Sequence, residues 1–188
     1  MKSMTKRLLA ALLAVAALFA LAGCSKSNKA DAAPKDYTKI LHDARPDEDN
    51  EYYMIFSPGE DGKFTAQYGY SDSYDAAQLD EEIRNMLLPL LNLEEDMYTD
   101  FAASVSGMMV QSYGIAIVKP AEGKQQAVSE ALDAYVQSQM QSMEHYLEDQ
   151  YQIAASSHIS TAPTGEVILV CCENPEAVMS AIKTALAA

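Results

Sequence analysis

The sequence predicts an α+β domain in which a small antiparallel sheet is packed by two longer helices, with an N-terminal β-hairpin and short helices. Runs at 110–118 and 167–172 are apolar on both faces, as is typical of strands in the middle of a sheet. Apolar residues recur with helical spacing at 122–147 and 175–186. Helix-like and strand-like segments are interspersed, which favours α+β.

The N-terminal part is acidic and rich in tyrosine. A short helix is predicted at 37–44, and 43–51 is predicted to be a loop because Pro46 interrupts an acidic stretch. Strand-like runs at 52–56 and 64–70 flank a segment of Pro and Gly residues, which predicts a β-hairpin.

The middle of the chain is predicted to be helical. A helix is expected at 79–91, and Pro89 should kink or end it near Leu88. A second short helix is expected at 94–102 from its inward-facing residues, Met97, Tyr98 and Phe101.

The C-terminal part supplies the predicted centre of the sheet. A central strand at 110–118 precedes the clearest helix, at 122–147. An alternating run at 151–159 is expected to be a strand with one wet face, joined by a short turn to the buried strand at 167–172. Asn174 as cap and Pro175 at the first helical position predict the last helix.

Two strands apolar on both faces need cover on both, whereas two long helices normally cover one face of a small sheet. We therefore expect the hairpin and the 79–91 helix, or a partner, to cover the other face. A homodimer through an uncovered face is a further alternative.

Residues 1–23 have the parts of a bacterial export signal. A basic start (Lys2, Lys6, Arg7) precedes the apolar run 8–22, which at ~1.5 Å per residue is shorter than the roughly 30 Å membrane core. The exit Leu21-Ala22-Gly23-Cys24 resembles a lipobox, so we predict cleavage before a lipidated Cys24. An ordinary secretory signal with a chance Cys is the alternative.

The mature chain is strongly acidic. The full chain has 13 Lys+Arg and 27 Asp+Glu, and cleavage would remove three basic residues to leave a formal charge of −17. With no basic cluster beyond the first seven residues, nothing would displace counterions from a phosphate backbone, so we expect no nucleic-acid partner. Adjacent Cys171 and Cys172 are read as core residues, because neighbouring strand side chains point to opposite faces.

Motifs for catalysis are missing from the sequence, which has no Gly-x-Ser-x-Gly, His-Glu-x-x-His or Cys-x-x-Cys pattern. The three histidines, His42, His145 and His158, are expected in surface or core roles. Two groups of residues are alternatives as metal sites, although the sequence favours core and solvent-exposed roles for them. The copper set is Met140, Met143 and His145 with Met108 and Met109; the calcium set is Asp47, Glu48, Asp49 and Glu51. No cofactor, metal site or catalytic residue is predicted.

Five tyrosines gather near the hairpin: Tyr52, Tyr53, Tyr68, Tyr70 and Tyr74. Tyrosine is common at contact surfaces, so this acidic, tyrosine-rich half is a candidate binding surface. The alternative is that these side chains cover the second face of the sheet.

The segments 91–101, 110–124, 131–135 and 165–170 are similar to those of small lipoproteins of Gram-positive anaerobes that carry the domain of unknown function 4358. The most specific piece is the strand-to-helix joint at Lys119–Lys124. The similarity covers about 79–186 and excludes the hairpin. It implies a lipid-anchored extracytoplasmic protein and assigns no catalytic residues.

Together these features predict four segments: a cleaved signal peptide (1–23), a lipidated Cys24 with a spacer (24–36), an acidic tyrosine-rich segment (37–78) and an α+β domain (79–188). We expect a non-catalytic binding module on the extracytoplasmic side of the cell membrane, with a protein, peptide or cell-wall component as partner. The alternative is an enzyme or metal-dependent protein whose site is assembled near His145.

Overall fold

The sheet has six strands, and every neighbouring pair is antiparallel. In chain order they are β1 (Ile55–Pro58), β2 (Phe64–Gln67), β3 (Tyr98–Val105), β4 (Gly114–Pro120), β5 (His158–Thr161) and β6 (Val167–Cys171). Their spatial order is β2-β1-β3-β4-β6-β5. The predicted α+β class is therefore confirmed, with the two strands apolar on both faces, β4 and β6, side by side within the sheet.

The computed structural model describes residues 34–188, and Lys35–Ala188 form one compact unit. Its α-helices are α1 (Tyr37–Ala44), α2 (Asp47–Tyr52), α3 (Ala76–Glu82), α4 (Leu88–Leu90), α5 (Gln125–Met143), α6 (Glu148–Ala155) and α7 (Pro175–Ala187). The signal peptide and Cys24 lie outside the described residues. Within the described part of the chain, no helix is both long and apolar enough to cross a membrane.

The two long helices lie on opposite faces of the sheet, and each face has its own core. Leu132 of α5 packs with the strands and the α3 region on one face. Ile182 of α7 packs with α1 on the other. The expectation that both long helices cover one face was therefore wrong, and the hairpin lengthens the sheet instead of covering it. Because both faces are covered, the argument for a dimer through a bare face no longer applies.

Two predicted elements have the opposite secondary structure. The segment 94–102 was expected to be helical, but Tyr98 begins β3, because a short apolar run fits a buried strand as well as a helix. The segment 151–159 was expected to be a strand, but α6 ends only at Ala155. Glu148 and Asp149 in its first turn suit the helix dipole, and the alternation of apolar residues there is coincidental.

Two helical details also differ from expectation. The acidic stretch 43–51 contains the helix α2 instead of a continuous loop, with Pro46 at its N-cap. Between α3 and α4 the helix widens into a π-turn over Ile83–Leu87, in which the Leu88 N–H donates to the Ile83 carbonyl. The wider turn lets Pro89 remain inside the helix, where its ring would otherwise collide with the preceding turn.

The chain enters the domain at the end of the sheet where β6 begins. Glu166, which is 4% exposed, precedes β6 and accepts a 3.0 Å hydrogen bond from the Tyr37 hydroxyl. The Lys35 ammonium lies 3.6 Å from the same carboxylate and also donates to the Leu186 carbonyl. These contacts fix α1, and with it the start of the folded part, at that end.

Candidate functional site

A cleft of about 790 Å³ lies at the opposite end of the sheet. At this end of the sheet β3 and β6 finish, and β1 and β4 begin, because neighbouring strands run in opposite directions. The wall consists of α2, the short 3-10 segment Gly69–Ser73, the end of α3 and the β3–β4 connection. We call it the acidic cleft.

Carboxylates and tyrosines dominate the lining of the acidic cleft. The carboxylates are those of Glu48, Asp49, Glu82 and Glu173, and the tyrosines are Tyr52, Tyr53, Tyr70 and Tyr74. Met54 and Met108 add apolar surface. Among the described residues that line it, none is Lys, Arg or His. The cleft is therefore a negatively charged surface rich in aromatic side chains, a combination whose chemistry suits cations.

A buried arginine holds the wall of the cleft in place. Arg45, only 4% exposed, donates to Asn50 Oδ1 (2.6 Å) and to the Tyr53 carbonyl (2.6 Å). Its Nη1 donates to Ser104 Oγ at 2.7 Å and to the Tyr113 hydroxyl at 3.2 Å. One guanidinium thus joins α2, the start of β1, and the sheet.

The pKa values around Arg45 reflect burial. Burial raises the pKa of the Asp49 carboxyl, although a hydrogen bond with Tyr113 and the charge of Arg45 both oppose that rise. Burial also raises the pKa of the Tyr113 phenol, and Arg45 opposes this too. The rings of Tyr53 and Tyr113 stack with centroids 3.9 Å apart and planes 12° from parallel. Asp49 is therefore a half-buried carboxylate supported by a rigid aromatic pair.

Unusual backbone surrounds the cleft. Tyr68 has φ 66° and ψ 176°, a conformation that is strained for any residue except glycine. Gly69, with φ +51°, follows it; a Cβ on Gly69 would lie 2.6 Å from the Met54 nitrogen. The π-turn places Leu87 in the lining. Strained backbone and π-turns are concentrated at functional sites, which strengthens the case for this cleft.

A smaller chamber of about 270 Å³ adjoins the acidic cleft and shares Glu48, Asp49, Tyr53, Gln111 and Glu173 with it. Its other lining residues include Ser112, Gln150 and Cys172. We call it the inner chamber.

The structure separates most of the residues that the sequence singled out for catalysis or copper. His145 is 90% exposed beside Glu144, and His158 lies 3.7 Å from Glu176 at the edge strand. His42 contacts Asp43 and the ring of Tyr68. Met143 is buried in the core, whereas Met109 is 88% exposed, so they do not form one ligand set.

The calcium candidates divide in a similar way. Glu48 and Asp49 face the acidic cleft, whereas Asp47 and Glu51 are exposed and do not line it. Within residues 34–188, no group of three or more His, Cys, Asp or Glu residues is close enough to hold a metal ion.

The five tyrosines differ in exposure. Tyr52, Tyr70 and Tyr74 are exposed in the acidic cleft, at 51%, 58% and 38%. Tyr53 and Tyr68 pack against the core under α1 and α7, and Tyr53 also lines the cleft. Whether the exposed tyrosines bind a partner stays a prediction.

Sequence reasoning missed Arg45, Ser112 and Glu173. Arg45 had a visible signal, since it is the single basic residue in the acidic stretch 43–51. Ser112 and Glu173 had none, because their positions in the site depend on the pairing of β4 with β6. Cys171 and Cys172 are buried in the cores of opposite faces, as expected from their adjacency in a strand.

The fold and the site define an α+β domain with an antiparallel sheet covered on both faces and an acidic, tyrosine-lined cleft at one end. The chain belongs to the family described as "Domain of unknown function (DUF4358)", whose model matches residues 71–172. Neither the comparison with curated proteins nor that with solved structures found a match. The matched region includes β3 to β6 but not α2, the hairpin or Glu173, so the acidic cleft is built partly from residues outside the match.

Proposed function

We propose that this protein is a lipid-anchored, extracytoplasmic binding protein of a Gram-positive bacterium, and that its acidic cleft binds basic peptide segments. Lipidation at Cys24 rests on the lipobox, and the origin rests on the resemblance of the family. The observation that carries the binding role is the lining of the cleft, with four carboxylates, four tyrosines and, among the described residues, no basic side chain.

The lining matches the chemistry of a lysine- or arginine-rich peptide. Each cation gains Coulomb attraction from the carboxylates, and tyrosine faces add cation–π attraction of about 0.5–1 kcal/mol at exposed positions. Met54, Leu87, Val105 and Met108 offer apolar contacts for the aliphatic parts of such a peptide.

The folded part of the chain begins far from the acidic cleft. Lys35 and Glu166 lie where β6 begins, whereas Glu173 lies just beyond its end. Six residues separate Glu166 from Glu173, so at ~3.3 Å per residue the two lie roughly 20 Å apart. The first residues of the folded unit therefore leave the acidic cleft open.

We propose binding and not catalysis. His145, around which the catalytic alternative was placed, is 90% exposed and does not line the acidic cleft.

The binding role is tested by calorimetry on residues 24–188 carrying Cys24→Ser. The probe is the peptide Gly-Lys-Leu-Lys-Gly, compared with the same peptide bearing Glu in place of Lys. Replacing Glu48 and Glu173 by Gln should weaken the lysine peptide roughly five- to tenfold, since each exposed ion pair contributes up to about 1 kcal/mol.

The matched control replaces Glu130 and Asp133, which lie on α5 away from the cleft, by Gln and Asn. It changes the net charge by the same amount and should leave the affinity almost unchanged. Equal losses in both double variants would refute a localised site, and equal binding of the glutamate peptide would refute the preference for cations.

The anchor is tested separately by detergent phase partitioning of cells that express the full chain. The wild type should enter the detergent phase and Cys24→Ala the aqueous phase. Identical partitioning of the two would overturn the lipidation proposal.

A further inference from the structure

The inner chamber is smaller than most sites that hold a complete small molecule. Its volume of about 270 Å³ lies below the range of ~300–1,000 Å³ that is typical of sites for complete small molecules. It also adjoins the acidic cleft through shared lining residues. These two facts fit a side pocket that receives one group of a larger ligand held in the cleft.

Ser112, one of the residues that line the chamber, carries an unused hydrogen-bonding group. The residue is 2% exposed, and its Oγ has no hydrogen-bond partner among the described residues. Its own N–H is already paired with Gln150 Oε1 at 2.9 Å. Buried hydroxyls are almost always paired in folded proteins, so the lone Oγ of a chamber-lining residue indicates a missing partner.

The charge around the chamber indicates the chemistry of the missing hydrogen-bond partner of Ser112. Glu48, Asp49 and Glu173 line the chamber, and none of its lining residues in the described chain is basic. Arg45 lies behind the lining and its charge offsets part of the negative charge at Asp49. One guanidinium against three carboxylates still leaves the chamber with net negative charge. A positively charged hydrogen-bond donor would pair with both the Ser112 hydroxyl and the carboxylates.

We propose that the inner chamber binds a primary ammonium group, such as that of a lysine side chain, with Ser112 Oγ and the Asp49 carboxylate as acceptors. This inference rests on the proposed function and specifies it. An ammonium is compact and has three diverging donors, which suits separate acceptors in a small chamber. A guanidinium is larger and planar, and it prefers a bidentate carboxylate.

The test uses three versions of Gly-Lys-Leu-Lys-Gly: the parent, one with both lysines acetylated, and one with both replaced by arginine. The parent should bind tightest, and acetylation should abolish most of the affinity because it removes the charge and two donors. Ser112→Ala should weaken the parent about tenfold, since hydrogen bonds to charged groups are among the stronger ones. It should leave the arginine peptide unchanged.

Asp49→Asn provides a second variant that keeps the shape and an acceptor for Tyr113. It should weaken the parent peptide while leaving the melting temperature equal or higher, because burial disfavours the carboxylate in the folded protein. Ser129→Ala, on α5 and outside the chamber, is the matched control for Ser112→Ala and should leave all three affinities unchanged.

The outcomes separate this inference from the proposed function. If lysine and arginine peptides bind equally and Ser112→Ala has no effect, the inner chamber holds no ammonium, while the acidic cleft remains a binding site. If no cationic peptide binds, both proposals fail. If Ser112→Ala or Asp49→Asn lowers the melting temperature in parallel with affinity, the residues are structural and the inference is overturned.

Discussion

Replacing Arg45 by Met should destabilise the protein strongly and loosen the wall of the acidic cleft. Methionine has a similar length but cannot donate hydrogen bonds. Four groups therefore lose a donor: Asn50 Oδ1, Ser104 Oγ, the Tyr113 hydroxyl and the Tyr53 carbonyl. Ser104 is fully buried, and Tyr113 is 4% exposed, so water does not easily replace the guanidinium there.

The expected loss of unfolding free energy is the difference between two opposing effects. A buried group left without its partner costs about 1–3 kcal/mol, so four such groups cost at most roughly 4–12 kcal/mol, and less where water reaches the partly buried bonds to Asn50 and Tyr53. Removing the buried charge returns several kcal/mol of desolvation penalty. The net loss should be about 2–4 kcal/mol, a large fraction of the ~5–15 kcal/mol by which domains are usually stable.

Urea unfolding at pH 7 measures this loss, with Arg84→Met as the control. Arg84 is also an arginine in a network: it pairs with Asp80 at 3.4 Å and with Glu95, and lies over the Phe64 ring. Its side chain is 36% exposed, so its loss should cost less than about 1 kcal/mol. A loss below about 1 kcal/mol for Arg45→Met, or equal losses for both variants, would refute the role assigned to Arg45.

Three further changes test the packing and the site. Gly114→Ala should cost about 1–3 kcal/mol in urea unfolding, because a Cβ would lie 2.7 Å from the buried Tyr135 ring; an unchanged midpoint would contradict that packing. Gly69→Ala should cost about 1–2 kcal/mol and weaken peptide binding, because of its positive φ and the contact with the Met54 backbone; normal stability and affinity would show that the turn adapts. Burial raises the pKa of the Cys172 thiol to about 11, so the unfolded chain loses this proton first and stability should fall as pH rises from about 9 to 11. Cys172→Ala should lose less stability over that range, and identical pH profiles would contradict the assignment.

Strands buried on both faces and capped helices could be predicted from the sequence because their signals are local. The run at 167–172 is continuously apolar, and α7 begins at Pro175 as expected, although the Asn174 side chain makes no capping hydrogen bond. Segments whose apolar residues fit both the helical and the strand period could not be predicted from local signals. Tyr98–Val105 and Glu148–Ala155 took the structure that tertiary packing favours.

The face of the sheet on which each helix packs could not be predicted from the periodicity of its apolar residues. The number of apolar faces correctly indicated that β4 and β6 need cover on both sides. It did not indicate that α5 and α7 would lie on opposite faces, because either helix has one apolar stripe that fits either face. The same limit hid the site, since Ser112 and Glu173 approach each other only through the pairing of β4 with β6.

The acidic cleft joins residues inside and outside the family match, and this division bears on the binding role that we propose for it. The matched region supplies Ser106, Met108, Gln111 and Ser112 from the β3–β4 connection. Most of the carboxylates and tyrosines of the cleft lie beyond the match: Glu48, Asp49 and Glu173, with Tyr52, Tyr53 and Tyr70. Because Arg45 fixes α2 to the sheet through Ser104 and Tyr113, both within the match, the wall can change its charge while its attachment stays. We therefore expect exchanges within α2 to alter which ligand binds without unfolding the sheet, whereas changes at Arg45 should affect both.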